Sequence, residues 1–401
     1  MIAASKAVVM EVVGKCIDSA IQQSLGEARQ GVPTEEGLHQ LLKDIGYEKL
    51  EIEYALLFPT HEPNAAAVAL VAQQLADNTD EAFIQLEKTC LELLYTDSKL
   101  DAHQHTDLLL GEAKSNDKAC SPERFLRLTY PKGSMVGGVF EWPLTNQALE
   151  LLKACIQSKE VFPILGVHPR QACKITTEEL TGLVAYFNNN RGSLAAVGET
   201  GICQKWWGKG VDVRSQKALF KIHVLIAKAT KLPLVLHLRS FHGKKENSVD
   251  LALDVLKDAR LPQDHPINIH AWGDTSLHAD KFKNYFPNTY FGFGSLLHRP
   301  HVKEVAKSVC LSKVLIETDA PHMGQSHEAK HYLSTLAGQR QIDTLELSRK
   351  VRSNMKTFFS PVPIDQLDFT EALQEIKAWS VPQTVLDVEV AGRMLQQSSR
   401  K

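Results

Sequence analysis

The chain of 401 residues carries 45 Lys and Arg against 47 Asp and Glu, a formal net charge of −2. That balance excludes a broadly basic nucleic-acid coat while leaving room for a local basic patch. With 43% hydrophobic and 23% charged residues it has the composition of a globular protein with a sizeable core. Residues 1–97 come first, and their apolar residues recur at helical spacing in AVVMEVVGKCIDSAIQQSL, GLHQLLKDI, NAAAVALVAQQLADN and DEAFIQLEKTCLELL. Asn64 and Thr79 or Asp80 stand where N-caps belong, and Pro33, Pro59 and Pro63 mark the loops. This segment is expected to be an all-helical N-terminal domain that could bind a protein partner, or else an extension whose helices pack on the outside of the C-terminal three quarters of the chain.

From Lys99 the pattern changes to short apolar runs alternating with room for helices. Eight strand candidates come in order: KLDAHQH, MVGGVFEW, FPILGVHP, LAAVGETG, LPLVLHLR, INIHAWG, TYFGFGS and KVLIETDA. Runs apolar nearly throughout are those of parallel strands covered on both faces. Helical stretches include RSQKALFKIHVLIAKATK, DLALDVLKDAR and DTLELSRKVRSNMKTFF, the last opening on Asp343 with Glu346 at the capping-box position. Residues 361–401 have the pattern of one or two further helices. The fold class is α/β, a (β/α)8 barrel over 98–360 with extensions at both ends; the length exceeds the roughly 250 residues of a single barrel.

Six side chains suited to metal binding lie at the carboxyl ends of these runs: His103, His105, Glu199, His237, His270 and Asp319. Spread over more than two hundred residues, they can meet only on the face of a barrel where the strands end. The His-x-His pair places both imidazoles on one side of its strand, because strand periodicity is two. A single carboxylate, Glu199, can bridge two ions about 3.5–4 Å apart, as in other two-metal sites. His237 and His270 complete the second ion. Asp319 can ligate the first and hold the proton of a bridging water. Imidazole mixed with carboxylate suits Zn, Mn or Mg, so the ligand set does not select the metal. The chemistry is metal-assisted hydrolysis, at phosphorus or at a carbonyl.

These segments resemble the TatD family of metal-dependent deoxyribonucleases, which are amidohydrolase-like barrels. DAHQHTD is similar to the family's D-x-H-x-H-x-D, GVHPRQA to G-x-H-P-H, and VGETGIC to G-E-x-G-L-D. The helix leading into LVLHLRS is similar to Q-x-x-x-F before I-H-x-R, IHAWG to H-C-F-x-G, and IETDAPHM to E-T-D-A-P-Y. Asn354 and Phe358 match the final helix. The resemblance covers roughly 99–360, with the motifs in order. It implies a magnesium-dependent nuclease acting on DNA, often as a 3′ exonuclease on a single strand or 3′ end, and sometimes on RNA. Carried over position by position, His103, His105, Glu199 and Asp319 hold one ion, and Glu199, His237 and His270 the other. His168 lies near the phosphate, and Arg239 contacts substrate or buttresses the site. The sequence departs from the pattern at Cys203 for Asp, Arg170 for the second His of G-x-H-P-H, and His322 for an aromatic. Arg170 can pair with a phosphate in a bidentate way.

Around this set, Trp206 and Trp207 come after strand four and either stack on splayed bases or pack over the rim. Lys205, Lys209, Lys244 and Lys245 fall in active-face loops, where lysines either track a phosphate backbone or are simply solvated. Two other functions fit the same residues: an amide or ester hydrolase on the same barrel, and a catalytically weak scaffold. The seven cysteines include no C-x-x-C pair, and neither a leader nor an apolar run of about 18 residues is evident. An intracellular protein, cytoplasmic or nuclear, with reduced thiols and no membrane span is therefore expected.

Overall fold

The computed structural model describes residues 99–116, 120–130, 133–190, 192–207, 211–241, 246–360 and 367–379. The helices expected over residues 1–97 lie outside the described residues, as do Lys209, Lys244, Lys245 and all of 380–401. Within the described part, eight strands lie in sequence order, each parallel to the next. They are β1 (Leu100–Gln104), β2 (Met135–Glu141), β3 (Val161–Gly166), β4 (Ala196–Cys203), β5 (Leu234–Arg239), β6 (Ile267–His270), β7 (Thr289–Phe293) and β8 (Val314–Ile316). These are the eight runs expected from the sequence. Val136, Val139, Ile164, Val197, Leu234, Ile267, Phe291 and Leu315 on them are fully buried, as strands covered on both sides require.

Helices return the chain between strands. α1 (Thr106–Asn116) and α2 (Pro122–Thr129) come after β1, then α3 (Asn146–Gln157), α4 (Thr177–Asn189), α5 (Val213–Thr230), α6 (Ser248–Asp258), α7 (Ser276–Tyr285) and α8 (Pro300–Ser308). α9 (Ala329–Arg340) and α10 (Thr344–Phe358) come after β8. Polar caps start them: the side chains of Ser121, Thr145, Thr176, Asp212, Asn247 and Asp343 each accept an N–H of the first turn, worth about 1 kcal/mol apiece. The Asp343 cap holds Glu346 N, as the sequence suggested. A reciprocal capping box forms instead between Thr176 and Glu179.

The barrel closes at one end of its seam. β1 and β8 share no strand ladder, but His105 N donates to Ala320 O (2.8 Å) and Asp319 N donates to His103 O (2.9 Å). The seam is therefore sealed at the mouth, by the two segments that carry His103, His105 and Asp319. Beyond the barrel, α11 (Thr370–Lys377) supplies one helix of the expected C-terminal extension and packs on α4 and α5. Surface ion pairs such as Lys228–Glu371 (2.8 Å) contribute little there. Burial of Phe369, Ile376 and Trp379, whose Nε1 donates to Ile175 O (3.2 Å), holds the helix. No helix among the described residues is long and apolar enough to cross a membrane.

Candidate metal centre

Two of the expected ligands owe their aim to breaks in the strand ladder. The β1–β2 register shifts between Asp101 and Gln104, around His103, and the β4–β5 register shifts between Val197 and Thr200, around Glu199. Such irregularities turn a side chain away from its regular alternation. His105 lies one residue past the end of β1, so periodicity two alone does not pair it with His103. Both rings nevertheless reach the same carboxylates: His103 Nε2 is 3.6 Å and His105 Nε2 3.5 Å from Glu199 Oε2, and the same atoms lie 3.6 and 3.4 Å from Asp319 Oδ1. On the other side, His237 and His270 are register partners across β5 and β6. His237 Nδ1 contacts Glu199 Oε1, which also lies 2.7 Å from His270 Nε2 and 4.0 Å from His168 Nε2. Glu199 is thus the hub, with three imidazoles on one oxygen and two on the other.

Grouping by mutual reach of ligand atoms, within 4.8 Å, gives His103–His105–Glu199, His103–His270–Asp319 and His168–Glu199–His237. All six expected metal ligands fall in these sets, and His168 joins them. His270 sits at the middle of the cluster, stacked on His103 with ring centroids 3.9 Å apart.

The fit of a cation to this site can be tested on the atoms left without partners. His103 Nδ1 and Nε2, His105 Nδ1, Glu199 Oε2, His237 Nε2, His270 Nδ1 and Asp319 Oδ1 are buried and make no hydrogen bond. A buried polar group without a partner costs about 1–3 kcal/mol, more for a charged one, and Glu199 Oε2 and Asp319 Oδ1 each lie 3.6 Å from His103 Nε2, so these three mark a place built for something else. Electrostatics agree. Burial alone would raise the Glu199 carboxyl, but His270, His237 and His168 hold it well below the usual range. Burial alone would lower His270, yet Glu199 and Asp319 carry it up to about 9. Burial and Arg239 push His237 down to about 3, and burial with His237 pushes His168 well down. The two carboxylates demand positive charge while most of the rings remain neutral with lone pairs to give. A divalent cation meets both conditions.

Supporting groups that sequence reasoning did not single out complete the centre. Asp101 is fully buried and crosses the barrel seam, accepting Thr318 N (3.0 Å), Thr318 Oγ1 (2.6 Å) and His103 N (3.2 Å). It fixes the two segments that carry His103 and Asp319 relative to each other. Glu317, also buried, accepts Ala271 N–H and lies 3.5 Å from His270 Nδ1. Ala271 (φ 42°) and Asp319 (φ 54°) both occupy the left-handed region, so these neighbours hold backbone that would otherwise relax. The signal for both acids was a carboxylate inside an apolar strand run, LDAHQ and VLIET.

Gly292 on β7 makes the space for Glu317. A Cβ there would lie 1.9 Å from Glu317 Oε2, and a carboxylate so buried has nowhere to swing. Gly292→Ala is expected to cost about 1–3 kcal/mol of stability through overpacking. By displacing the support of His270, it should also weaken Mn²⁺ binding by about 10–100-fold. Thermal unfolding and Mn²⁺ titration check both effects.

The remaining expected residues surround the hub. Arg239 Nη2 lies 2.9 Å from His270 Nε2, and its Nη1 donates to Leu238 O (3.0 Å) and His270 O (3.1 Å), so the guanidinium braces β6. Arg170 Nη2 donates to both Glu141 oxygens (2.6 and 2.7 Å), while the side chain stays partly exposed, with Nη1 and Nε outside that pair. Arg170 N also donates to His168 Nδ1 (2.9 Å), which orients that ring. Trp206 is half-buried against the core with Lys205 Nζ 5.6 Å from its ring centre. Trp207 Nε1 donates to Gln216 (2.9 Å). Cys203 is buried but belongs to none of the ligand sets, and burial raises its thiol. The solvent-facing ring of His322 meets His105 edge-on at 4.5 Å.

Comparisons with known proteins agree with this centre. An uncharacterized metal-dependent hydrolase of Haemophilus influenzae is 24% identical over 271 residues, 65% of this chain and 98% of that protein. The 3′-5′ RNA nuclease TATDN2 of Homo sapiens is 23% identical over 241 residues, 59% of this chain but 30% of that protein. Among solved structures, the TatD homologue YJJV of Escherichia coli K12 covers 66% of this chain and 98% of its own at 21% identity and TM-score 0.54. A TatD family hydrolase of Entamoeba histolytica covers 66% and 99% at 14% identity and TM-score 0.55. These structural likenesses carry the fold alone, a (β/α)8 barrel. The family described as TatD related DNase matches residues 100–360, well over half of the sequence. The chain is therefore a metal-dependent hydrolase and belongs to the TatD related DNase family.

Proposed function

We propose that the centre holds two divalent cations, magnesium by preference, and hydrolyses phosphodiester bonds of single-stranded nucleic acid from the 3′ end. The observation that carries this reading is the convergence of His103, His105, His237 and His270 on the two oxygens of Glu199, with Glu199 Oε2 and Asp319 Oδ1 buried and unpartnered. The family description as a DNase and the human relative's description as a 3′-5′ RNA nuclease support a nucleic-acid substrate. His103, His105, Glu199 and Asp319 would hold one cation, and Glu199, His237 and His270 the other, with His168 within reach of the second. Such a pair polarises a phosphoryl oxygen and makes water a competent nucleophile near neutral pH.

The chain's own residues do the rest. Asp319 Oδ1, without a partner, accepts the proton of the attacking water. An N–H of Arg170 outside the Glu141 pair receives a non-bridging phosphate oxygen, aligned by that pair, and adds fixed positive charge where negative charge develops. Arg239 keeps His270 in place rather than reaching out for substrate. Asp101 and Glu317 prevent the ligand segments from drifting apart when the substrate binds.

The test is digestion of 3′-labelled and 5′-labelled single-stranded DNA and RNA with Mg²⁺, Mn²⁺ or EDTA, with Glu199→Ala alongside as a control for contaminating nuclease. Metal-dependent shortening from the 3′ end, absent in the variant, is expected. Failure to cleave either polymer while metal binds would sink the reading and move the assignment to an amide or ester substrate.

A further inference from the structure

Among the described residues, the most exposed large aromatic ring is one the sequence motifs do not touch. Phe241 comes just after β5 and is 57% exposed. Isolated exposed hydrophobics are common enough to mean nothing alone. What distinguishes Phe241 is how firmly it is presented. Its N–H donates to Gln204 Oε1 (2.7 Å), and Gln204, itself buried, donates from Nε2 to Glu246 O (2.5 Å). The preceding Ser240 Oγ lies 2.8 Å from Ser248 Oγ and donates to Asp274 Oδ2 (3.2 Å), and it accepts Ser248 N–H (3.1 Å). Asn247 Nδ2 donates to the same Asp274 oxygen (2.9 Å). The chain leading into the ring is therefore tied to the loops after β4 and β6, and Glu246 and Asn247 are tied to the same two loops.

Position is the second argument. Phe241 lies two residues past the end of β5, on the side of the barrel where the strands end. His237 is at the Glu199 hub and Arg239 touches His270, and Phe241 follows Arg239 by two residues, a backbone step of at most about 7 Å. That step is on the scale of one nucleotide. The Trp206 ring, the sequence-based candidate for stacking, is half-buried against the core one loop away.

We propose that Phe241 is a stacking platform for an unpaired nucleobase, that of the nucleotide next to the phosphate at the metal centre. The inference rests on the nucleic-acid reading above and adds the part of the substrate that the ring recognises. A flat apolar surface held beside a cation-rich centre takes any base, because every base has a π-face. It therefore selects for an unstacked single-stranded end over a paired one, without selecting sequence.

The experiment measures binding by fluorescence anisotropy, in Ca²⁺ to prevent turnover, of the full chain to a fluorescein-labelled single-stranded ten-nucleotide DNA. A second probe is identical but lacks the 3′-terminal base, carrying an abasic sugar there. The wild-type chain is expected to prefer the complete strand by about 5- to 150-fold, the range that stacking of one base spans. Phe241→Ala and Phe241→Leu should lose that preference and Phe241→Trp should keep it, with melting midpoint and Mn²⁺ affinity unchanged in all three. Equal wild-type affinity for the two probes would overturn the platform alone. So would an undiminished preference in Phe241→Leu. No binding of either probe by the wild-type chain would overturn the platform together with the nuclease reading. Loss of self-association in Phe241→Ala with base preference intact would assign the ring to a contact between copies and overturn the platform as well.

Discussion

Glu199→Gln is expected to lower hydrolysis by about 10³-fold or more and to remove both bound cations. No other side chain among the described residues meets ligands on both of its oxygens: Oε2 faces His103 and His105 at 3.6 and 3.5 Å, and Oε1 faces His237, His270 at 2.7 Å and His168 at 4.0 Å. The amide keeps the shape but loses the charge that draws two cations together, and it turns one acceptor into a donor aimed at imidazole nitrogens. Asp319 is nearest His103 and His105 and shares a ligand set with His103 and His270 but not with His237, so Asp319→Asn should retain one equivalent of metal while losing most activity. Metal content by elemental analysis, set beside the initial rate, separates the two cases. With metal removed from both chains, the His270 ring should also titrate lower in Glu199→Gln than in the wild type, because the Glu199 charge that raises it is gone. A Glu199→Gln chain that keeps two metal equivalents and the wild-type rate would refute the bridging role.

The barrel was legible because its signal is redundant. Eight apolar runs, each between helical stretches, can hardly be arranged otherwise when both faces of every strand must be covered. The six candidate ligands could be picked out because each is a polar residue at the carboxyl end of such a run, a costly place for polarity unless it is used, and the fold brings them into one cluster. What stayed hidden depends on distances across the fold. Glu141 and Arg170 are 29 positions apart, and only their pairing at 2.6 Å shows that Arg170 is committed in part to a carboxylate. Asp101 acts on Thr318 over 217 positions, which no local pattern encodes. The period-two argument for His103 and His105 reached the right pair by an incomplete route, since the β1 register breaks there and closure with the β8 segment aims the rings. Phe241 had no signal at all: exposure and the Gln204 tether are properties of the folded rim.

Acid sensitivity should arise from histidines away from the cations. His223 on α5 is fully buried; its Nε2 accepts Val167 N–H (2.9 Å) and its Nδ1 donates to Leu219 O (2.8 Å), so the neutral ring alone fits. Burial lowers it from 6.5 to about 4. His265, whose Nε2 donates to Leu232 O (2.9 Å), is likewise lowered by burial to about 4. Both folded values lie below the unfolded one, so the unfolded chain takes up protons first as pH falls. Each contribution is complete above pH 6.5 and is lost as pH drops toward 4, by roughly 3 kcal/mol per ring, large against a total stability of about 5–15 kcal/mol. Asp101 runs the other way, because burial raises it to about 7 and the folded state gains from its protonation on acidification. The whole-protein curve therefore blends opposing groups, and the informative quantity is a difference. His223→Gln keeps an acceptor for Val167 N–H without a titrating ring. Between pH 7 and about pH 4.5 the stability advantage of the wild type over this variant should shrink by roughly 2–3 kcal/mol, and the His265→Gln comparison should behave alike. Denaturant unfolding of the metal-free chains at the two pH values measures it. A gap that stays constant with pH would mean that His223 is not held neutral by the fold, and that the order of the loop carrying His168 rests on something other than the bond from Val167.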